Sequence, residues 1–180
     1  MTQSLVAITL LGLAGLASAA APVASLNVAF TPYVGPGPVG NDGVERNEMQ
    51  WLAESTGTYL GTPVQSWFLV WDPVGVKLAS GRIQFDAPIV AVFDSRAELA
   101  SSSAFESAGV GYDYSKVFVG LESVDAARTS FTGDTLSLSW QGVNPGDHVR
   151  VLTLVPEPGT WATFAAGLAG IGWLLRRRGA

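Results

Sequence analysis

The chain has no cysteine and a single histidine among 180 residues. The first absence removes disulfide staples, thiol catalysis, zinc fingers and iron–sulfur clusters. The second removes any histidine-based metal cluster and leaves His148 as the sole candidate for a Ser-His-Asp site. No Gly-x-Ser-x-Gly elbow precedes it, so it reads as a half-exposed strand or turn residue beside Asp147. Basic residues are also scarce. Of ten Lys and Arg, three are Arg176, Arg177 and Arg178 at the extreme C-terminus. Residues 20–155 therefore carry seven basic against fourteen acidic side chains, near −7, while the whole chain shows only −5. An acidic body repels nucleic acid and anionic lipid, so neither is expected as a partner. Long hydrophobic runs are missing too: neither end offers the roughly 20 apolar residues of an ordinary membrane span.

What the ends do offer is specific. Residues 5–17 form a short apolar run of signal-peptide length, followed by Ala17-Ser18-Ala19. The small residues Ala17 and Ala19 suit signal peptidase, with cleavage before Ala20; Ala19-Ala20-Ala21 fits as well. The leader "MTQ" has no Lys or Arg, so the terminal amine supplies its positive charge or the start codon lies upstream. Residues 1–19 are thus read as a signal peptide, 20–154 as one domain and 155–180 as a sorting tail. In that tail residues 160–175 carry no charge. As a helix they would span roughly 24 Å against a hydrocarbon core of about 30 Å. Arg176–Arg178 would stay cytoplasmic, with the body on the outer side.

Between the ends, turn signals recur about every ten residues, and short apolar or alternating runs fill the gaps. The runs are "LNVAF", "EMQWLAEST", "VQSWFLVW", "GVKLASGRIQF", "PIVAVF", "KVFVGLE", "DTLSLSW" and "DHVRVLTLV". One helix is expected in "DSRAELASSSAF", capped by Asp94 or Ser95 with Glu98 in its first turn. There is no internal repeat. This spacing predicts a mainly β fold, an antiparallel β-sandwich of jelly-roll-like form.

Candidate chemistry in the body is thin, and no catalytic, cofactor-binding or metal residue is assigned. "NDGVERNE" groups Asn41, Asp42, Glu45, Asn47 and Glu48 as hard oxygen donors for calcium, but without EF-hand order, and reads first as a solvated loop. Trp51, Trp67, Trp71 and Trp140 suit either a core or sugar-stacking platforms. "GVGYDYS" has too few glycines in the right order to cradle phosphate. Pairs of carboxylates for glycoside hydrolysis depend on distance in space, which spacing along the chain does not give.

Val155-Pro156-Glu157-Pro158, a short apolar segment and the Arg176–Arg178 cluster together resemble the PEP-CTERM sorting signal. The two prolines keep the segment extended and accessible beside the membrane. The resemblance implies processing by an exosortase, a membrane-embedded cysteine peptidase-like enzyme. The precursor would sit in the inner membrane of a Gram-negative bacterium by its C-terminal helix. Removal of the tail and delivery to the cell surface or extracellular polysaccharide matrix would follow. "DPVG", "GRIQFDAPIVAVF", "VFVGLESVD" and "NPGDHVRVLTLVPEP" also resemble an exported β-sandwich domain recurrent before this signal, with His148 where an aromatic is expected. That domain transfers no activity. The expected function is a non-enzymatic envelope or matrix protein. The alternatives are a carbohydrate-binding module, with or without calcium, and a secreted glycan hydrolase.

Overall fold

A computed structural model describes residues 19–35, 38–40, 44–143 and 146–155, together with Gly167. The signal-peptide run, Asn41, Asp42 and the tail from Pro156 lie outside the described residues, Gly167 excepted. Among the described residues no helix is long and apolar enough to cross a membrane. Ala19–Val155 forms one compact unit.

Among the described residues nine strands make two sheets. They are β1 (Val23–Leu26), β2 (Phe30–Pro32), β3 (Met49–Tyr59), β4 (Thr62–Trp71), β5 (Lys77–Gln84), β6 (Ile89–Phe93), β7 (Ser130–Thr132), β8 (Thr135–Gly142) and β9 (Asp147–Leu154). The four-stranded sheet runs β1-β5-β8-β7 and the five-stranded sheet β2-β3-β4-β9-β6. All pairings are antiparallel except β2 with β3. Alternation along each strand sends one set of side chains inward. Ala79 and Ile83 of β5 and Leu136, Leu138 and Trp140 of β8 meet Trp67, Leu69 and Trp71 of β4 and Val149 and Val151 of β9. The two sheets therefore share one dry core. Trp67, Trp71 and Trp140 belong to it and, fully buried, are not sugar platforms; Trp51 is half-buried against it.

The outer face of the five-stranded sheet is covered as well. Helix α1 (Arg96–Ser101) starts at Ser95 through the expected capping box: the Ser95 hydroxyl accepts from the Glu98 N–H, and Glu98 reaches back to the Ser95 N–H. Leu99 then packs with Phe68 and Val70 of β4, and Tyr112 and Tyr114 close over the same ring. A 3-10 turn at Ser103–Phe105 seats Phe105 against Val64 and Leu152. This layer buries both faces of β9, so His148 is fully buried where a half-exposed residue was expected.

Three further expectations change. "LNVAF" is not one strand: β1 ends at Leu26 in one sheet and β2 begins at Phe30 in the other. Asn27 holds the crossing, donating from Nδ2 to the Leu78 carbonyl and accepting from the Ser80 N–H. "KVFVGLE" is not a strand either. Val117 and Phe118 sit exposed in a turn, and Gly120 adopts φ 108°, where a side chain would collide with the Asp94 carbonyl oxygen. A second short helix, α2 (Ser123–Ala126), follows it.

Candidate functional site

Gly120 forms isolated bridges to Ser95 and to Asp147 at the start of β9. It thereby brings the Glu122–Asp125 segment against the sheet end. Glu122, Asp125 and Asp147 each place a carboxylate oxygen within 4.8 Å of the others. The three are fixed by different means. Asp147 is 2% exposed and pairs across the ladder with Trp71. Asp125 is 3% exposed; its Oδ2 accepts from the Gln141 N–H of β8 at 3.0 Å and its Oδ1 from Arg128. Glu122 is half-buried and opens the cluster to solvent. Asp147 Oδ2 has no hydrogen-bond partner. Burial, then the charges of Glu122 and Asp125, a hydrogen bond with Glu122 and the charge of Asp72, push the Asp147 carboxyl up to about 8. Two of the three carboxylates, Asp125 and Asp147, are buried, and only Glu122 faces solvent. The arrangement suits a small cation.

Three positions further along β9, a second buried ionic group is built differently. A bulge between Ala53 and Thr56 sets Glu54 on the outer face of the sheet. Arg150 meets it with both prongs, Nε to Oε2 at 2.7 Å and Nη2 to Oε1 at 2.8 Å. The remaining donors reach Leu99 O, Ser102 Oγ and the Tyr114 hydroxyl. Ser66 donates to Glu54 as well, and the Phe68 ring lies under the guanidinium, 5.3 Å from its centroid. Tyr112 and Tyr114 are raised above the ordinary phenol value, by burial first. Every Arg150 donor is used, so this group ties α1 to the sheet and has nothing left for a ligand.

The remaining sequence candidates fall elsewhere. His148 lies on the Phe68 side of β9, with Nδ1 3.0 Å from Gly146 O and Nε2 without a partner. Burial lowers its pKa to about 4, so it is neutral and enclosed, unsuited to act as a base on an external substrate. In "NDGVERNE", Glu45 and Asn47 are exposed, and Asn47 accepts from Lys77. Ala17, Pro156, Glu157, Pro158, Arg176, Arg177 and Arg178 lie outside the described residues. Ala19 packs at the core edge, and the Ala20 N–H donates to Asp86. Val155 donates its N–H to Pro63 O, just past the end of β9. The acidic cluster was missed because Asp147 stands 22 positions from Asp125 in the chain. The local trace of it is Glu122 and Asp125 at the i, i+3 spacing of one helical turn.

Residues 154–178 match the PEP-CTERM protein-sorting motif. The match covers the tail and supports an exported protein of Gram-negative type that is processed by an exosortase. No curated protein and no solved structure matches the chain.

Proposed function

We propose that this PEP-CTERM protein is a non-enzymatic component of the cell surface or extracellular matrix that associates with exopolysaccharide. The observation that carries the reading is the sorting motif at residues 154–178, which begins at the last residue of β9. In this reading signal peptidase cuts after Ala19, and the 160–175 helix holds the precursor in the inner membrane. Exosortase then acts at Pro156-Glu157-Pro158. The body is a jelly-roll-like sandwich: β4, β5 and β6 alternate between sheets, and β5 with β8 nests inside β4 with β9.

The polysaccharide part is supported by the outer face of the four-stranded sheet. Alternation puts Ser25, Ser80, Arg82, Gln84, Thr135, Ser137 and Ser139 there, hydroxyls with one amide and one guanidinium, beside the exposed Val23 and Leu78. A shallow depression of about 290 Å³ on it is lined by Val23, Ala24, Ser25, Arg82, Gln84 and Thr135. The enclosed, neutral His148 is unsuited to serve a hydrolase as base.

Replacing Pro156-Glu157-Pro158 by three alanines should leave full-length precursor in the inner membrane. Mass spectrometry of the extracellular wild-type protein should find neither residues 1–19 nor Arg176–Arg178. Recovery of an intact C-terminus outside the cell would refute the sorting reading. On an array of the host's polysaccharides, Arg82→Ala with Gln84→Ala should lose binding. Absence of binding by the wild type to any glycan would remove the polysaccharide reading and leave sorting untouched.

A further inference from the structure

We propose that Glu122, Asp125 and Asp147 form a calcium site at the end of the body where β4, β8 and β9 meet α2. The donor set is all oxygen and, once Asp147 gives up its proton to the ion, carries three negative charges, the chemistry of a hard divalent cation. Oxygens within 4.8 Å of one another can share one ion at the 2.3–2.6 Å usual for calcium.

The independent pointer is Asp147 Oδ2. A buried carboxylate oxygen without a donor is costly, and native interiors leave few of them. Here the cost is compounded by two more acids and by the charge of Asp72 nearby. The cation at hand, Arg128, pairs with Asp125 through a side chain 39% exposed and leaves Asp147 Oδ2 unmet. An ion between the three carboxylates supplies what Oδ2 lacks. Glu122, half-buried, leaves room for the water ligands that calcium retains. The ladder position of Asp147 and the bond from Gln141 to Asp125 fix two ligands before the ion arrives. Binding then orders mainly the Gly120–Asp125 segment. This inference does not depend on polysaccharide binding.

The test uses the full chain purified in detergent. One millimolar calcium chloride should raise the midpoint of thermal unfolding by about 3–6 °C over chelator. Terbium chloride should give luminescence sensitised through the tryptophans, Trp71 being the ladder partner of Asp147, and calcium should quench it by competition. Asp147→Asn and Glu122→Gln should each lose both signals. Glu122 is the safer variant for folding because it is half-buried. An unchanged wild-type midpoint overturns the proposal. So does a shift retained in both variants, or one abolished by Glu45→Gln with Glu48→Gln, which would place the ion on that loop.

Discussion

Arg150 and Asp147 leave β9 on opposite faces, three positions apart, and each carries an ionisable group into the interior. Around Arg150 every donor has an acceptor, supplied by β3, α1 and the Tyr114 loop. Around Asp147 acids gather, and one oxygen has no donor at all. Burial is equally deep in the two places, so burial alone does not separate architecture from a site. What separates them is whether the local charges and hydrogen bonds close. The closed group holds a covering layer on the sheet. The open one has a deficit of positive charge.

Breaking the closed group should have the largest effect. Arg150→Met strands Glu54 in the interior and should cost about 3–5 kcal/mol in urea unfolding. Adding Glu54→Leu should recover most of that loss, since an apolar pair replaces an ion pair with little penalty. If the double variant is no better than the single one, the ion pair is not the unit that matters. Gly120→Ala comes next. It forces φ 108° on a side chain that has no room, and should cost about 2 kcal/mol. It should weaken metal-dependent stabilisation, because this residue brings the Glu122 segment to β9.

Asp147→Asn should behave unlike Arg150→Met. With its carboxyl pushed up to about 8, Asp147 is already mostly protonated at pH 7 in chelator, so the neutral amide replaces a mostly neutral acid and stability there should stay within about 1 kcal/mol of wild type. A loss as large as that of Arg150→Met would erase the contrast between the two groups. The smallest effect belongs to the capping box. Ser95→Ala should cost about 1 kcal/mol at neutral pH. Burial acts to raise the Glu98 carboxyl, but hydrogen bonds from Ser95 and from the Ser95 and Asp94 N–H groups outweigh it and hold Glu98 below its ordinary value. A depressed carboxyl stabilises above its unfolded pKa and loses that contribution as pH falls through the folded one. The deficit of Ser95→Ala should therefore shrink in acid, as read by unfolding across pH 3–7.

Much of this was legible along the chain. The alternation of Leu136, Leu138 and Trp140 marks β8, and Ser95 with Glu98 marks α1, because both signals are local. "DHVRVLTLV" was legible only on one side. Val149 and Val151 announce a dry face, but His148 and Arg150 imply solvent on the other. Solvent is absent there because α1, the 3-10 turn and Tyr112–Tyr114 cover it and supply the hydrogen bonds that water would have made. "KVFVGLE" misleads for the opposite reason: its apolar residues suggest a strand, while Gly120 takes a left-handed conformation set by contact with Asp94. The acidic cluster has almost no local sign, since its members meet only when β9 returns beside β4. The sorting motif is wholly legible, because a processing enzyme reads it as a linear segment.

Strand β9 has a mechanical side. It pairs along its length with β4 on one edge and, from Arg150 to Thr153, with β6 on the other, and Val155 adds a bond to Pro63 just before the sorting motif continues. A pull on the chain beyond Val155 runs along this strand. The ladder bonds on both edges are then sheared together and share the load, whereas a terminal edge strand would be peeled away one bond at a time. The segment the sorting machinery grips is thus tethered to a strand clamped on both edges, and tension at that end is passed into the core of the sheet.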